Sequence, residues 1–202
     1  MTEPGERFTK VISAIDAANA RDPRVVEVGG RQEPGELIYG KRMTDTLARM
    51  VAEPSECLCI SARGQHLERW KIPRATYPAG RPGYLRWRRV QREHQARRLG
   101  ELMAAAGYDA DAIARVGVLI RKEKMKTDAE VQLLEDVICV TFLEHYLPRF
   151  MSKVEEEKLA DILAKTWGRM SELGHQHALQ LDLPPAVPRL LGLGLARLNA
   201  AA

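Results

Sequence analysis

The chain has 202 residues, 45% of them hydrophobic and 29% charged, proportions that exclude wholesale disorder and let one domain bury a core without staples. A formal net charge of +4 is by itself too mild to imply nucleic acid, and three cysteines (Cys57, Cys59, Cys139) form no paired framework, which points to a reducing, cytoplasmic setting. The first residues, "MTEPGERFTK", hold no apolar export segment, and no apolar run approaches the roughly 18 residues of a membrane span, so neither export nor a membrane partner is expected.

In chain order, Phe8, Val11, Ile12 and Ile15 recur at helical spacing and predict a first helix ending near Asp22-Pro23. "EVGGRQEPGEL" reads as a glycine- and proline-rich loop, and Leu37, Met43, Leu47 and Met50 as a second helix. Ser55 is the expected N-cap of a third, running through "ECLCISARGQHLERW" to Ile72-Pro73. The stretch "PRATYPAGRPG" is a long irregular loop, and a fourth helix follows from about Tyr84 to Ala106, stopped by Gly107. Asp109 to Arg121 gives a short helix and "KEKMK" a charged turn containing Lys122, Lys124 and Lys126. Thr127 to Glu130 has capping-box spacing, predicting a helix from Asp128 to Leu147 closed by Pro148; Ser152 opens another, to about Leu173. The tail supplies one last weak helix, and no period-2 strand or internal repeat stands out.

Three polar residues fall on apolar helix faces. His66 lines up with Cys59, Ala62 and Trp70, His94 with Trp87 and Val90, and Asp136 with Leu133, Val137, Val140 and Leu143. An aspartate on a core face costs several kcal/mol, on the order of 3, unless paired or bound to a cation. Two readings stay open here. The three side chains form a facial metal set with open positions, or they are hydrogen-bonded core residues, with Asp136 paired to an arginine.

The stretches "IDAANARDP", "ISARGQHLERWKIPRATYPAGRPGYLRWRR", "LLEDVICVTFLEHYLPRF" and "KTWGRMSELG" together resemble the domain of unknown function 4202 family. More remotely, "DAEVQLLEDVICVTFLE" is similar to the last ligand helix of the HD-domain superfamily of metal-dependent phosphohydrolases. That resemblance implies an all-α, HD-domain-like helical bundle, a single domain over residues 6–183 with a C-terminal tail over 184–202. It also implies one divalent transition metal (Mn, Fe, Co or Zn) on His66, His94 and Asp136, with Asp136 and His94 catalytic. Residue 95 is Gln, so the aspartate of the His-Asp doublet is missing, which leaves either one metal on these three residues or none.

The segment between the two histidines carries the basic character. Arg69, Arg74, Arg81, Arg86 and Arg88 offer guanidinium forks for phosphate or carboxylate, and Trp70, Tyr84 and Trp87 offer an aromatic pocket for a base. The leading expectation is a metal-dependent hydrolase of a phosphorylated or nucleotide-like anionic small molecule. The alternative is a non-catalytic protein that binds RNA or an anionic metabolite through the same arginines, an arginine strip interleaved with aromatics being the usual footprint of single-strand binding.

Overall fold

The computed structural model describes residues 4–125 and 127–200; Lys126 of the charged turn lies outside them. The fold is all-α, apart from one small hairpin. Its residues divide into two compact units, 1–131 and 132–202.

In the first unit, α1 (Pro4–Asn19), α2 (Gly35–Met50), α3 (Glu56–Gly64), α4 (Gly80–Ala106) and α5 (Ala110–Arg121) surround an apolar core. Val11, Ile15, Ile60, Leu67, Leu99, Met103, Val116 and Ile120 are almost wholly buried within it. Ser55 caps α3 by accepting from the Leu58 N–H at 3.1 Å, as its sequence position predicts. The second unit contains most of α6 (Ala129–His145), then α7 (Leu147–Met151), α8 (Glu156–Trp167), α9 (Glu172–Leu179) and α10 (Ala186–Ala200). The cap of α6 is Asp128 and not Thr127: its Oδ1 accepts from the N–H groups of Glu130 and Val131.

Further local expectations are corrected, and α4 starts at Gly80 instead of near Tyr84. "EVGGRQEP" is a hairpin, β1 (Val25–Val28) against β2 (Arg31–Pro34), in which Val28 faces Arg31 across Gly29 and Gly30. Both glycines have positive φ (56° and 78°), the conformation a two-residue turn needs to match the strand twist. The third helix stops at Gly64 and the chain continues through turns to Glu68, whose left-handed φ of 53° precedes a 3-10 turn at Arg69–Lys71. Pro148 opens α7, where a missing N–H is harmless, instead of closing α6. The helix expected to run to Leu173 is two, α8 and α9, and Gly174 lies inside the second.

Gly194 sets the closeness of α8 and α10. A Cβ there would stand 2.1 Å from the Ala160 carbonyl oxygen and 2.9 Å from the Ala164 Cβ. Alanine gains about 1 kcal/mol of helix propensity over glycine, yet overpacking against backbone costs about 1–3 kcal/mol. Gly194→Ala is therefore expected to be destabilising, by up to about 2 kcal/mol in urea unfolding, the reverse of an exposed helical site.

Candidate functional site

The segment from Gln65 to Ala79, which leads into α4, is held by a buried polar network. It begins with a helix lacking its own cap: Pro34 precedes α2 and has no side-chain oxygen to offer. Asp22 substitutes from outside, its Oδ2 accepting the Glu36 N–H at 3.0 Å while its Oδ1 accepts from the backbone and Nε of Arg24. Asn19, at the end of α1, donates its amide to the Glu36 carbonyl, and its side-chain oxygen accepts the Glu68 N–H at 3.0 Å. That bond supports the left-handed backbone of Glu68, which a non-glycine residue adopts at a cost of about 1–2 kcal/mol.

His66 lies in this turn, and not on the face of α3 with Ala62. Its Nδ1–H donates to Glu36 Oε2 at 3.1 Å, Arg69 Nη1 donates to its Nε2, and Tyr39 stacks on its ring with centroids 3.7 Å apart. One ring nitrogen donating and the other accepting is the pattern of a neutral imidazole. Burial, with the Arg69 charge beside it, brings the His66 pKa down to about 4, against the opposing pull of Glu36. The Glu36 carboxyl is held below its ordinary range: burial works against ionisation, and His66, Arg69 and Arg24 outweigh it.

A depressed histidine pKa fixes the sign of a pH effect. As pH falls from the ordinary 6.5 toward 4, the unfolded chain takes up a proton that the folded chain refuses, so stability is lost across that window and levels off below it. About 2 kcal/mol should disappear between pH 7 and pH 5. Urea titrations should show this slope in the native chain and its loss in His66→Gln.

The other expected residues are placed as follows. His94, on α4, has Nε2 3.4 Å from Glu68 Oε2, an ion-pair separation without hydrogen-bond geometry, and its Nδ1 faces Arg97 Nη2 at 3.3 Å. Glu68 is also claimed by Lys71 and by Arg98. Asp136, in the second unit, is 1% exposed. Its Oδ1 accepts from the Ser171 N–H (2.8 Å) and the Gln132 amide (3.0 Å), and its Oδ2 from the Ser171 hydroxyl (2.6 Å). Ser171 in turn caps α9 through the Gly174 N–H, so Asp136 steadies a helix cap.

These donors do not fit a metal ion as they stand. Both nitrogens of His66 are engaged, one by a guanidinium that would repel a cation, and both oxygens of Asp136 receive hydrogen bonds. No group of three or more His, Cys, Asp or Glu residues among the described residues is arranged to hold one.

The arginines separate into two kinds. Arg69 is spent inward, its Cζ lying 4.7 Å from the centroid of the buried Trp87 ring. Arg74 is spent on its own loop, donating to the carbonyls of Tyr77, Pro78 and Gly80. Trp87 Nε1 and the Gln91 amide both donate to the Ile72 carbonyl at 2.9 Å, which ties the loop to α4. Trp70 is half-buried in the 3-10 turn.

Arg81, Arg86 and Arg89 point into solvent from the first turns of α4, and Arg88 rests over the ring of Tyr84 at 5.7 Å. None of the four has a carboxylate partner among the described residues. Elsewhere many arginines are paired with carboxylates, among them Arg7 with Glu56, Arg63 with Asp16, Arg98 with Glu68, Arg115 with Asp128 and Arg189 with Glu156. Within the same turns Tyr84 is 42% and Leu85 52% exposed.

The sequence matches the family described as Domain of unknown function (DUF4202) over residues 9–191. The chain belongs to that family. No curated protein and no solved structure matches it. In this DUF4202 chain the residues that sequence reasoning passed over are Asn19, Asp22, Arg24, Glu36 and Gln91, the members of the network that braces the loop. Asn19 and Asp22 both stand in "IDAANARDP", and the signal for Asp22 was an uncapped "EPGEL" helix start needing an acceptor from elsewhere. No helix among the described residues is long and apolar enough to cross a membrane.

Proposed function

We propose that this protein binds single-stranded RNA along the first three turns of α4, with Arg81, Arg86, Arg88 and Arg89 on the phosphates and Tyr84 as a stacking platform. The observation that carries the reading is the contrast in pairing: four guanidiniums without carboxylates, in a chain that neutralises most of the others. Leaving like charges unpaired on neighbouring turns costs stability, and a polyanion removes that cost. A convex helix face suits an extended backbone better than an enclosed metabolite. The exposed ring amid the arginines is what stacking on unpaired bases requires. The buried network has a positioning part: it fixes the loop from which α4 starts.

Metal-dependent hydrolysis, the leading expectation from the sequence, draws no support from donors occupied as those of His66 and Asp136 are.

The test is a filter-binding titration with a labelled single-stranded RNA and with total tRNA at several salt concentrations. Four phosphate contacts predict a slope of log affinity against log salt of roughly −3, so binding should weaken about 50-fold between 50 and 200 mM salt. A flat slope, or competition by a mononucleotide as effective as by the RNA itself, would overturn the reading. Equal competition by polyglutamate would point to an acidic protein partner instead.

A further inference from the structure

The second unit contains a cavity of about 260 Å³ among α6, α8, α9 and α10, walled by Leu143, Leu163, Trp167, Met170, Leu183 and Val187. An apolar cavity of about 150 Å³ already accommodates benzene, so this one has room for an aromatic ring with a short chain. Its polar lining is sparse and specific. The Thr166 hydroxyl is spent on the Ile162 carbonyl at 2.8 Å. Asp182, the one charged residue of the lining, is exposed and has no hydrogen-bond or ion-pair partner among the described residues.

Trp167 is fixed in place. His175 stacks on it with centroids 4.0 Å apart and planes 9° from parallel, and the same imidazole bonds the Trp167 carbonyl through Nε2 at 2.9 Å. An indole and a free carboxylate on one apolar cavity are the two groups that recognise an organic ammonium, the first through its quadrupole and the second through its charge. A carboxylate ligand would meet Asp182 with like charge and no cation among the described lining residues to offset it.

We infer that this cavity is a binding site for a small organic cation with an apolar body, such as an arylalkylamine, its ring among the leucines and its ammonium at Asp182. The inference does not rest on the proposed RNA surface.

Ligand-observed and amide-shift NMR with 4-phenylbutylamine, 4-phenylbutanol and 4-phenylbutyrate test it on the full chain. The amine should bind saturably with shifts centred on residues 163–191, about fivefold or more tighter than the alcohol, and the carboxylate should bind weakest. Asp182→Asn, a surface change that leaves the core intact, should lower the amine to the affinity of the alcohol. The inference is overturned if the amine shows no saturable binding up to about 10 mM, if the three compounds bind alike, or if Asp182→Asn leaves the amine's advantage unchanged.

Discussion

Changing Arg81, Arg86, Arg88 and Arg89 together to glutamine is expected to weaken binding of single-stranded RNA by roughly 100-fold at low salt and to flatten its salt dependence nearly to zero. Both parts of that result matter. Each arginine that neutralises a phosphate contributes through released counterions, so removing all four removes the slope as well as the affinity. A loss of affinity with the slope intact would mean that the change acted through the fold. Unfolding is not expected, because none of the four makes an ion pair among the described residues, Arg81, Arg86 and Arg89 are exposed, and Arg88 rests on the exposed Tyr84 ring. Tyr84→Ala separates stacking from charge: it should cost about 1–3 kcal/mol of affinity with the slope unchanged.

Asp136→Ala should destabilise the chain by about 3–5 kcal/mol, with the largest loss of amide-exchange protection at the start of α9. The variant takes three hydrogen bonds from a charged acceptor and leaves the Ser171 N–H and hydroxyl without it in a site 1% exposed. Denaturant titration without added metal measures the loss. Asp136→Asn keeps an acceptor for the Ser171 N–H, so it should recover much of it. A ligand role predicts otherwise: asparagine would be as damaging as alanine, and stability would depend on added ion.

Much of this fold was legible from pattern alone. The 3.6-residue period of α1, α2 and α5 shows in the spacing of Val11 with Ile15, Met43 with Leu47, and Val116 with Ile120. Local chemistry marks the cap at Ser55 and the stop at Gly107. What the sequence hides are events decided at a distance. The hairpin carries no alternating pattern, since neither of its strands has a residue in the core. The turn that follows α3 is held by a hydrogen bond from Glu68 to Asn19, 49 positions away. Asp136 stood out as a carboxylate on an apolar face, and it is buried as that face requires. Its partner Ser171 is 35 residues further on, and periodicity does not distinguish a cap support from a metal ligand. Arg69, Arg74 and Arg81 look alike in sequence. Only tertiary structure assigns the first to a buried imidazole, the second to loop carbonyls and the third to water.

The Arg74 side chain gives this chain a clasp that redox conditions do not open. One guanidinium gathers three carbonyls from Tyr77 to Gly80, closing a small ring in a protein whose cysteines form no disulfide among the described residues. A lysine in its place would present a single point of charge and hold fewer of them at once. The loop ahead of the basic helix is thus cinched without covalent chemistry, and its shape should be the same in a reducing as in an oxidising medium.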